Sequence, residues 1–372
     1  MITPWLEQYL PNPIDWKKIN RVLVVKLRHH GDVLLSSPVF QALKNHHPHL
    51  QIDALVYQDT APMLKEHPAI EQLFCIDKKW KKLGPIKSVV KEYSLLKQLK
   101  KQQYDVVINL TESRRGAWIK MFTGAKFGIA GNYKNRQDKS WKKAFPLRYP
   151  LPRFGNTRHT VEVHLDALRK AGIQVQQQDK PLVLKLDQQD YEKCYQLLES
   201  TTATDGKYIV MHPTSRWLFK TWRLDKYREL IERLLEKGET VVISAAPDEV
   251  EMSLVNHILD GLEHSNLVRL EGKLSLRSLA ALVDKAKLMI GVDSVPMHIA
   301  AAMNTPSVSL FGPSGNIEWA PWNDNATVIT SQTHTCRPCG YDGCGSGKIS
   351  ECLATIDVDT VYKAIQQQLE KA

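Results

Sequence analysis

The chain has 372 residues, more than one compact core usually holds, so it reads as two domains. Its 43% hydrophobic and 24% charged content is that of a folded globular protein and excludes wholesale disorder. No stretch approaches the ~20 uninterrupted apolar residues of a membrane span, and no basic segment followed by an apolar run opens the chain, so a cytoplasmic protein is expected.

The formal charge of +10 favours an anionic partner: nucleic acid, phospholipid or a phosphorylated substrate. The charge gathers between Asp77 and Gln103, where nine lysines face two acids. A solvated helix face and a membrane-facing patch explain that run equally well. Nucleic acid is the weakest candidate, because no zinc-finger, RNP or helix-turn-helix pattern accompanies the charge.

In chain order, Arg21 to Lys26 (RVLVVK) is a short, continuously apolar, β-branched run, as in a strand buried on both faces of a parallel sheet. The turn LRHHGD follows, with Gly31 and Asp32, and a helical pattern through Val33, Leu34, Val39 and Leu43 tolerates Pro38 only as a kink or a restart. Ile52 to Tyr57 and Tyr104 to Leu110 read as further strands, alternating with helices that include the lysine-rich Ser88 to Gln103. After Asp138 the chain reads as irregular. A helix is then expected from Val161 to Lys170, and a linker around Gln176 to Asp187.

A second strand series follows at Tyr208–Met211, Thr240–Ser244, Leu267–Leu270, Leu288–Val292 and Ser307–Phe311. The fold class expected is α/β: two facing Rossmann-like domains with a cleft between them, the arrangement called GT-B, divided as residues 1–180 and 181–372. Ligands in such sheets gather at the carboxyl ends of the strands, so residues just past the strands carry the most weight. Neither G-x-G-x-x-G after the first strand nor G-x-x-x-x-G-K-[ST] anywhere is present, which disfavours dinucleotide dehydrogenases and P-loop enzymes.

After YIVM come His212, Thr214, Ser215, Arg216 and Lys220, a set of hydroxyls and cations suited to a diphosphate; capping of a helix by Thr214 or Ser215 is the competing explanation. After LMIGV come Asp293, Ser294 and His298, which suit sugar hydroxyls and a phosphate, or a helix cap and a satisfied histidine. Asp32 suits a general base for an acceptor hydroxyl, or an N-cap, while Arg28, His29 and His30 read as acceptor anchors. Asp357-Val358-Asp359 looks like a metal-binding D-x-D, but capping of the last helix explains it better. No catalytic metal is expected, so Lys220, Arg216 and a helix N-terminus offset the charge of the leaving diphosphate. Cys336, Cys339, Cys344 and Cys352 (C-x2-C-x4-C-x7-C) are compatible with zinc, with disulfides or with reduced thiols.

The segments VVKLRHHGDVLLSSPVFQALK, HPTSRWLFKTW, GVDSVPMHIAAAMNTPSVSLFGPSG and CRPCGYDGCG together resemble the lipopolysaccharide core heptosyltransferases of glycosyltransferase family 9, heptosyltransferase III type. The resemblance spans nearly the whole chain and implies a GT-B fold, inversion at the anomeric carbon, and ADP-heptose as donor substrate held by the C-terminal domain. It implies a phosphorylated lipopolysaccharide inner core as acceptor, held by the N-terminal domain, and peripheral contact with the inner membrane. By position it makes Asp32 the base, Lys220 the diphosphate-binding lysine, and Thr214 and Ser215 the phosphate-contacting hydroxyls. Asp293 then holds the heptose with Ser294 beside the phosphates, Glu249 binds the donor ribose, and Leu274 touches adenine. Val295 stands where heptosyltransferase I has Gly, a departure from the pattern. Two rivals remain: the same chemistry on another acceptor or donor sugar, and a catalytically silent lipopolysaccharide-binding protein on this fold.

Overall fold

The computed structural model describes residues 14–371. The N-terminal extension with Trp5, Leu6, Tyr9 and Leu10, whose sequence suits packing onto its own domain better than a place at a membrane interface, lies outside the described residues. No helix among the described residues is long and apolar enough to cross a membrane. The chain divides into two compact units: the first runs to Phe154 and resumes over Thr160–Lys185, and the second takes Gly155–His159 and continues from Leu186.

The first unit alternates β1 (Arg21–Val25), α1 (His30–Leu34), α2 (Ser37–His46), β2 (Gln51–Tyr57), β3 (Gln72–Ile76), α3 (Pro85–Lys101), β4 (Val106–Asn109), α4 (Arg114–Thr123), β5 (Phe127–Gly131), α5 (Lys139–Ala144), β6 (Leu147–Tyr149) and α6 (Thr160–Lys170). Its strands pair in parallel in the order β3-β2-β1-β4-β5-β6. Val22, Leu23, Val24 and Val25 are fully buried, because helices cover both faces of this central strand. Asp53, buried in β2, locks the amino edge of the sheet by accepting from Arg21 Nε at 2.9 Å, Tyr104 Oη at 2.7 Å and the Gln72 amide at 3.1 Å. Pro38 marks a restart: α1 ends at Leu34 and α2 begins at Ser37, with the proline in its first turn, where no amide hydrogen is missed.

The second unit holds α7 (Gln188–Leu198), β7 (Tyr208–His212), α8 (Leu224–Glu236), β8 (Thr240–Ile243), α9 (Glu249–Ile258), β9 (Leu267–Arg269), α10 (Leu276–Asp284), β10 (Leu288–Val292), α11 (Val295–Met303), β11 (Ser307–Phe311), β12 (Ala326–Thr330), α12 (Glu351–Ala354) and α13 (Val358–Leu369). Its parallel order is β12-β11-β10-β7-β8-β9. Numbered from its own first strand this is the order of the first sheet, 3-2-1-4-5-6, so the two units repeat one topology without repeating a sequence. In each, the direction of winding reverses beside the first strand, between β1 and β4 and between β7 and β10.

Four strands escaped the sequence reading, and each has a local reason. Phe127–Gly131 carries two glycines, Leu147–Tyr149 is three residues long among prolines, and Gln72–Ile76 and Ala326–Thr330 lie at sheet edges, half-buried. The stretch after Asp138 is irregular only over residues 150–159; before that it forms α5 and β6. Asp138 caps α5 by accepting from the Trp141 amide, and Trp141 and Tyr149 are among the most deeply buried side chains.

One buried ion pair fixes helix packing in the second unit. Arg277 of α10 donates through Nε to Asp190 of α7 at 2.8 Å, and both residues are buried. Arg277→Ala is expected to cost about 3–5 kcal/mol, since it strands a buried carboxylate. The urea midpoint of the full chain checks this; an unshifted midpoint would mean the pair is stabilised by other groups.

Candidate active site

In the first unit the candidate side chains gather where β1 ends. The amide of Leu27 donates to Thr111 Oγ1 at 2.8 Å, which ties the segment after β1 to the one after β4 at the switch point. Lys26 is buried, and its ammonium meets three acceptors: the Leu110 carbonyl at 3.1 Å, His164 Nε2 at 2.9 Å and Asp32 Oδ1 at 3.4 Å. An ammonium has three N–H donors, so this set satisfies it completely. His164 Nδ1 lies 3.0 Å from the Leu35 carbonyl, which fixes the proton on Nδ1 and leaves Nε2 to accept from Lys26.

Asp32 occupies the third position of α1 and is not the cap; His29 is the N-cap, without a side-chain cap bond. Burial by itself raises the Asp32 carboxyl, but the positive charges beside it, Lys26 first and then Arg28, outweigh it and hold the group below the usual carboxylate range. Asp32 is therefore ionised at neutral pH. Burial conversely lowers the Lys26 ammonium, against the raising effect of Asp32. Arg28 is mostly exposed, with Nε 3.9 Å from Asp32 Oδ1, His29 is exposed, and His30 Nε2 lies 2.9 Å from the Asp59 carbonyl.

In the second unit the loops after β7 and β10 meet at the corresponding switch point. Lys220, in a short 3-10 turn over Leu218–Lys220, places Nζ 2.6 Å from Asp293 Oδ2, both mostly buried. Gly291 lets β10 and the start of α11 lie close to the end of β7, since a Cβ there would stand 3.0 Å from the His212 carbonyl oxygen and 3.2 Å from Met297 Sδ. Ser294 is the N-cap residue of α11, yet its side chain makes no cap bond; its hydroxyl turns back to the Val292 carbonyl at 3.2 Å. His298 is buried on the same helix.

Thr214 and Ser215 cap no helix either, since α8 begins only at Leu224 with Arg223 as its cap residue. Thr214 is fully buried and donates to Glu251 Oε2 at 2.8 Å, while Ser215 accepts from the Trp217 amide at 3.3 Å. Arg216 is exposed, with its guanidinium 5.3 Å from the centre of the Trp217 ring. Glu249 is exposed at the start of α9, and Leu274 is buried. His212, lowered to about 4 by burial, stays neutral with Nδ1 3.0 Å from Ser244 Oγ.

Sequence reasoning missed three participants. Lys26 was read as the end of a strand, although a lysine closing a fully apolar run is a signal of a buried charge that needs partners. Glu251 was passed over for Glu249; the buried acid is Glu251, and burial pushes its carboxyl up despite the bond from Thr214. His164 gave no signal, because its role depends on α6 packing against α2, 129 residues from Leu35.

Asp357 caps α13 by accepting from the Thr360 amide at 2.6 Å, so the Asp-Val-Asp sequence has a capping role. All six cysteines are free thiols; Cys336, Cys339 and Cys344 are exposed and Cys352 is buried. No group of three or more His, Cys, Asp or Glu among the described residues is arranged to hold a metal ion.

The sites thus offer a shielded, ionised carboxylate at one switch point and a lysine–carboxylate pair beside an uncapped helix start at the other. The first suits proton abstraction and the second an anion with attached hydroxyls.

The chain is similar to known proteins over most of its length. The model of glycosyltransferase family 9 (heptosyltransferase) matches residues 92–349. Lipopolysaccharide heptosyltransferase 3 of Escherichia coli (strain K12) is 37% identical over 343 residues, 92% of this chain and 96% of the relative. A family 9 glycosyl transferase from Veillonella parvula superposes with a TM-score of 0.79 at 20% identity, covering 96% of this chain and 99% of that one. E. coli ADP-heptose lps heptosyltransferase II superposes with a TM-score of 0.74 at 21% identity, covering 95% and 100%. Two Rossmann-like units of one topology, a family match over most of the chain and a near full-length relative lead to one conclusion: the chain belongs to glycosyltransferase family 9, the heptosyltransferases, and is a glycosyltransferase of GT-B fold.

Proposed function

We propose that the protein transfers heptose from ADP-heptose to a heptose of the phosphorylated lipopolysaccharide inner core, with inversion, as a heptosyltransferase of the III type. The observation that carries this is the 37% identity to lipopolysaccharide heptosyltransferase 3 over nearly the full length of both chains. The residues then divide the work by unit. The first unit (1–180 by the sequence reading) takes the acceptor, anchored by Arg28, His29 and His30, and the second (181–372) takes the donor.

Asp32 removes the proton of the acceptor hydroxyl as its oxygen attacks the anomeric carbon, and ADP departs from the opposite face. Lys220 exchanges its contact with Asp293 for the diphosphate, which frees the carboxylate to accept from heptose hydroxyls. Thr214, Ser215, Ser294, Arg216 and the start of α11 receive the remaining phosphate charge, His298 lines the heptose pocket, Glu249 holds the ribose and Leu274 packs on adenine. The reaction uses no resident cofactor or catalytic metal in this reading. The protein works in the cytoplasm, peripheral to the inner membrane, where its acceptor is anchored.

ADP release on mixing with ADP-heptose tests the whole proposal, using an acceptor with two core heptoses and a control lacking the second. Release with the first alone, with one heptose added by mass spectrometry, is expected. Release with neither would remove the acceptor assignment.

The environment of Asp32 predicts a pH effect. Since positive neighbours depress this carboxyl, Lys26→Met should raise it, and the acid limb of kcat/KM should move to higher pH. A profile identical to the wild type would separate Lys26 from the base.

A further inference from the structure

The first three turns of α3 present apolar residues on the side facing away from the fold. Ile86, Val89, Val90 and Tyr93 fall within an arc of about 100° on the helix. All four are exposed, Ile86 at 79%, whereas the packed side uses Leu95 and Leu99 near the other end. The adjacent α4 adds Trp118, 69% exposed, and Met121 on its own outer side. The two helices are held together by Arg115 and Glu92 at 2.6 Å and by Tyr93 against Phe122. A run of large exposed side chains of this size on one surface is a contact surface.

Its charge identifies the occupant. α3 carries five lysines against one acid, Glu92, which Arg115 already pairs, and α4 carries two arginines and a lysine with no acid. Lys81 and Lys82 precede α3 immediately and are exposed. Apolar side chains, a tryptophan and a tyrosine set among lysines match a bilayer interface with anionic headgroups, where the rings and aliphatic groups enter and the ammonium groups meet phosphate. A protein partner or second copy would gain little from so many unpaired lysines.

We infer that the outer face of α3 and α4 is the surface by which the protein docks on an anionic phospholipid bilayer. The inference rests on the proposed use of a membrane-anchored acceptor and gives that contact a place. In a parallel sheet each helix starts at the edge where the preceding strand ends, so the first turns of α3 and α4 share the carboxyl edge with Asp32. Docking there brings lipid-anchored acceptor to the edge that carries the base.

Co-sedimentation of the full chain with phospholipid vesicles tests this, comparing neutral vesicles with vesicles containing about one-third anionic lipid, at low and high salt. Binding should favour anionic vesicles and weaken with salt. Replacing Ile86→Ser, Val90→Ser and Trp118→Ser together should lower vesicle affinity about tenfold or more. Thermal unfolding and turnover of a soluble, deacylated acceptor should stay as in the wild type, while turnover of acceptor embedded in vesicles falls. Unchanged vesicle binding in the triple variant overturns the inference, as does a switch from dimer to monomer that makes this face an interface between copies. Failure of the wild type on the soluble acceptor would instead strike the proposed activity, leaving the vesicle result readable by itself.

Discussion

Replacing Asp32 by Asn is expected to lower kcat by about 100- to 10,000-fold while ADP-heptose still binds. Asn keeps the shape and the contact with Lys26 but cannot take a proton. Asp32 is held low by the positive charges beside it, Lys26 first and then Arg28, which makes it a weak base in the resting protein. The acceptor hydroxyl, however, becomes acidic only as its oxygen bonds to the anomeric carbon, so transfer is late and permanent ionisation counts for more than resting basicity. Single-turnover kinetics with saturating donor, alongside calorimetric ADP titration, separate chemistry from binding. Full turnover in the Asn variant would end the assignment of Asp32 as base.

Lys220→Ala should reduce kcat/KM by about 100- to 1,000-fold, the range for loss of one preorganised electrostatic contact to developing charge. Two effects combine. The diphosphate loses a cation, and Asp293, left mostly buried without its 2.6 Å partner, repels the incoming anion. Asp293→Asn in the Lys220→Ala background removes the second effect, so it should recover donor affinity but not kcat. If the double variant is no better than the single one, Asp293 adds no repulsion and the loss lies in the cation alone.

How far the sequence could be read follows from how local each signal is. The central strands were legible because burial on both faces demands continuous apolar runs, as in Val22–Val25 and Leu288–Val292. Three of the four edge strands, and Phe127–Gly131 with its two glycines, carry no such demand and were missed; of the edges only Leu267–Arg269 was read. The site residues read from strand ends do lie there: Asp32 after β1, Lys220 and Thr214 after β7, Asp293 after β10. What the sequence withheld was pairing. Nothing local says that Lys220 meets Asp293, 73 residues away, or that Lys26 meets His164, 138 residues away. Whether Asp32, Ser294 or Thr214 caps a helix was undecidable from residue type alone, since capping and catalysis select the same side chains.

The path of the chain has a consequence for how the protein is made. The first unit is not one continuous stretch, because residues 155–159 belong to the second unit before α6 returns to finish the first. During synthesis the amino-terminal sheet therefore has all six strands by Tyr149 yet lacks the helix that covers α2 and supplies His164. A nascent chain stopped at Phe154 would hold the Lys26 ammonium without its imidazole acceptor and leave bare the part of α2 that α6 covers. Exposed apolar surface makes such a half-made form prone to aggregate, and a fragment cut at Phe154 is the wrong way to isolate the unit.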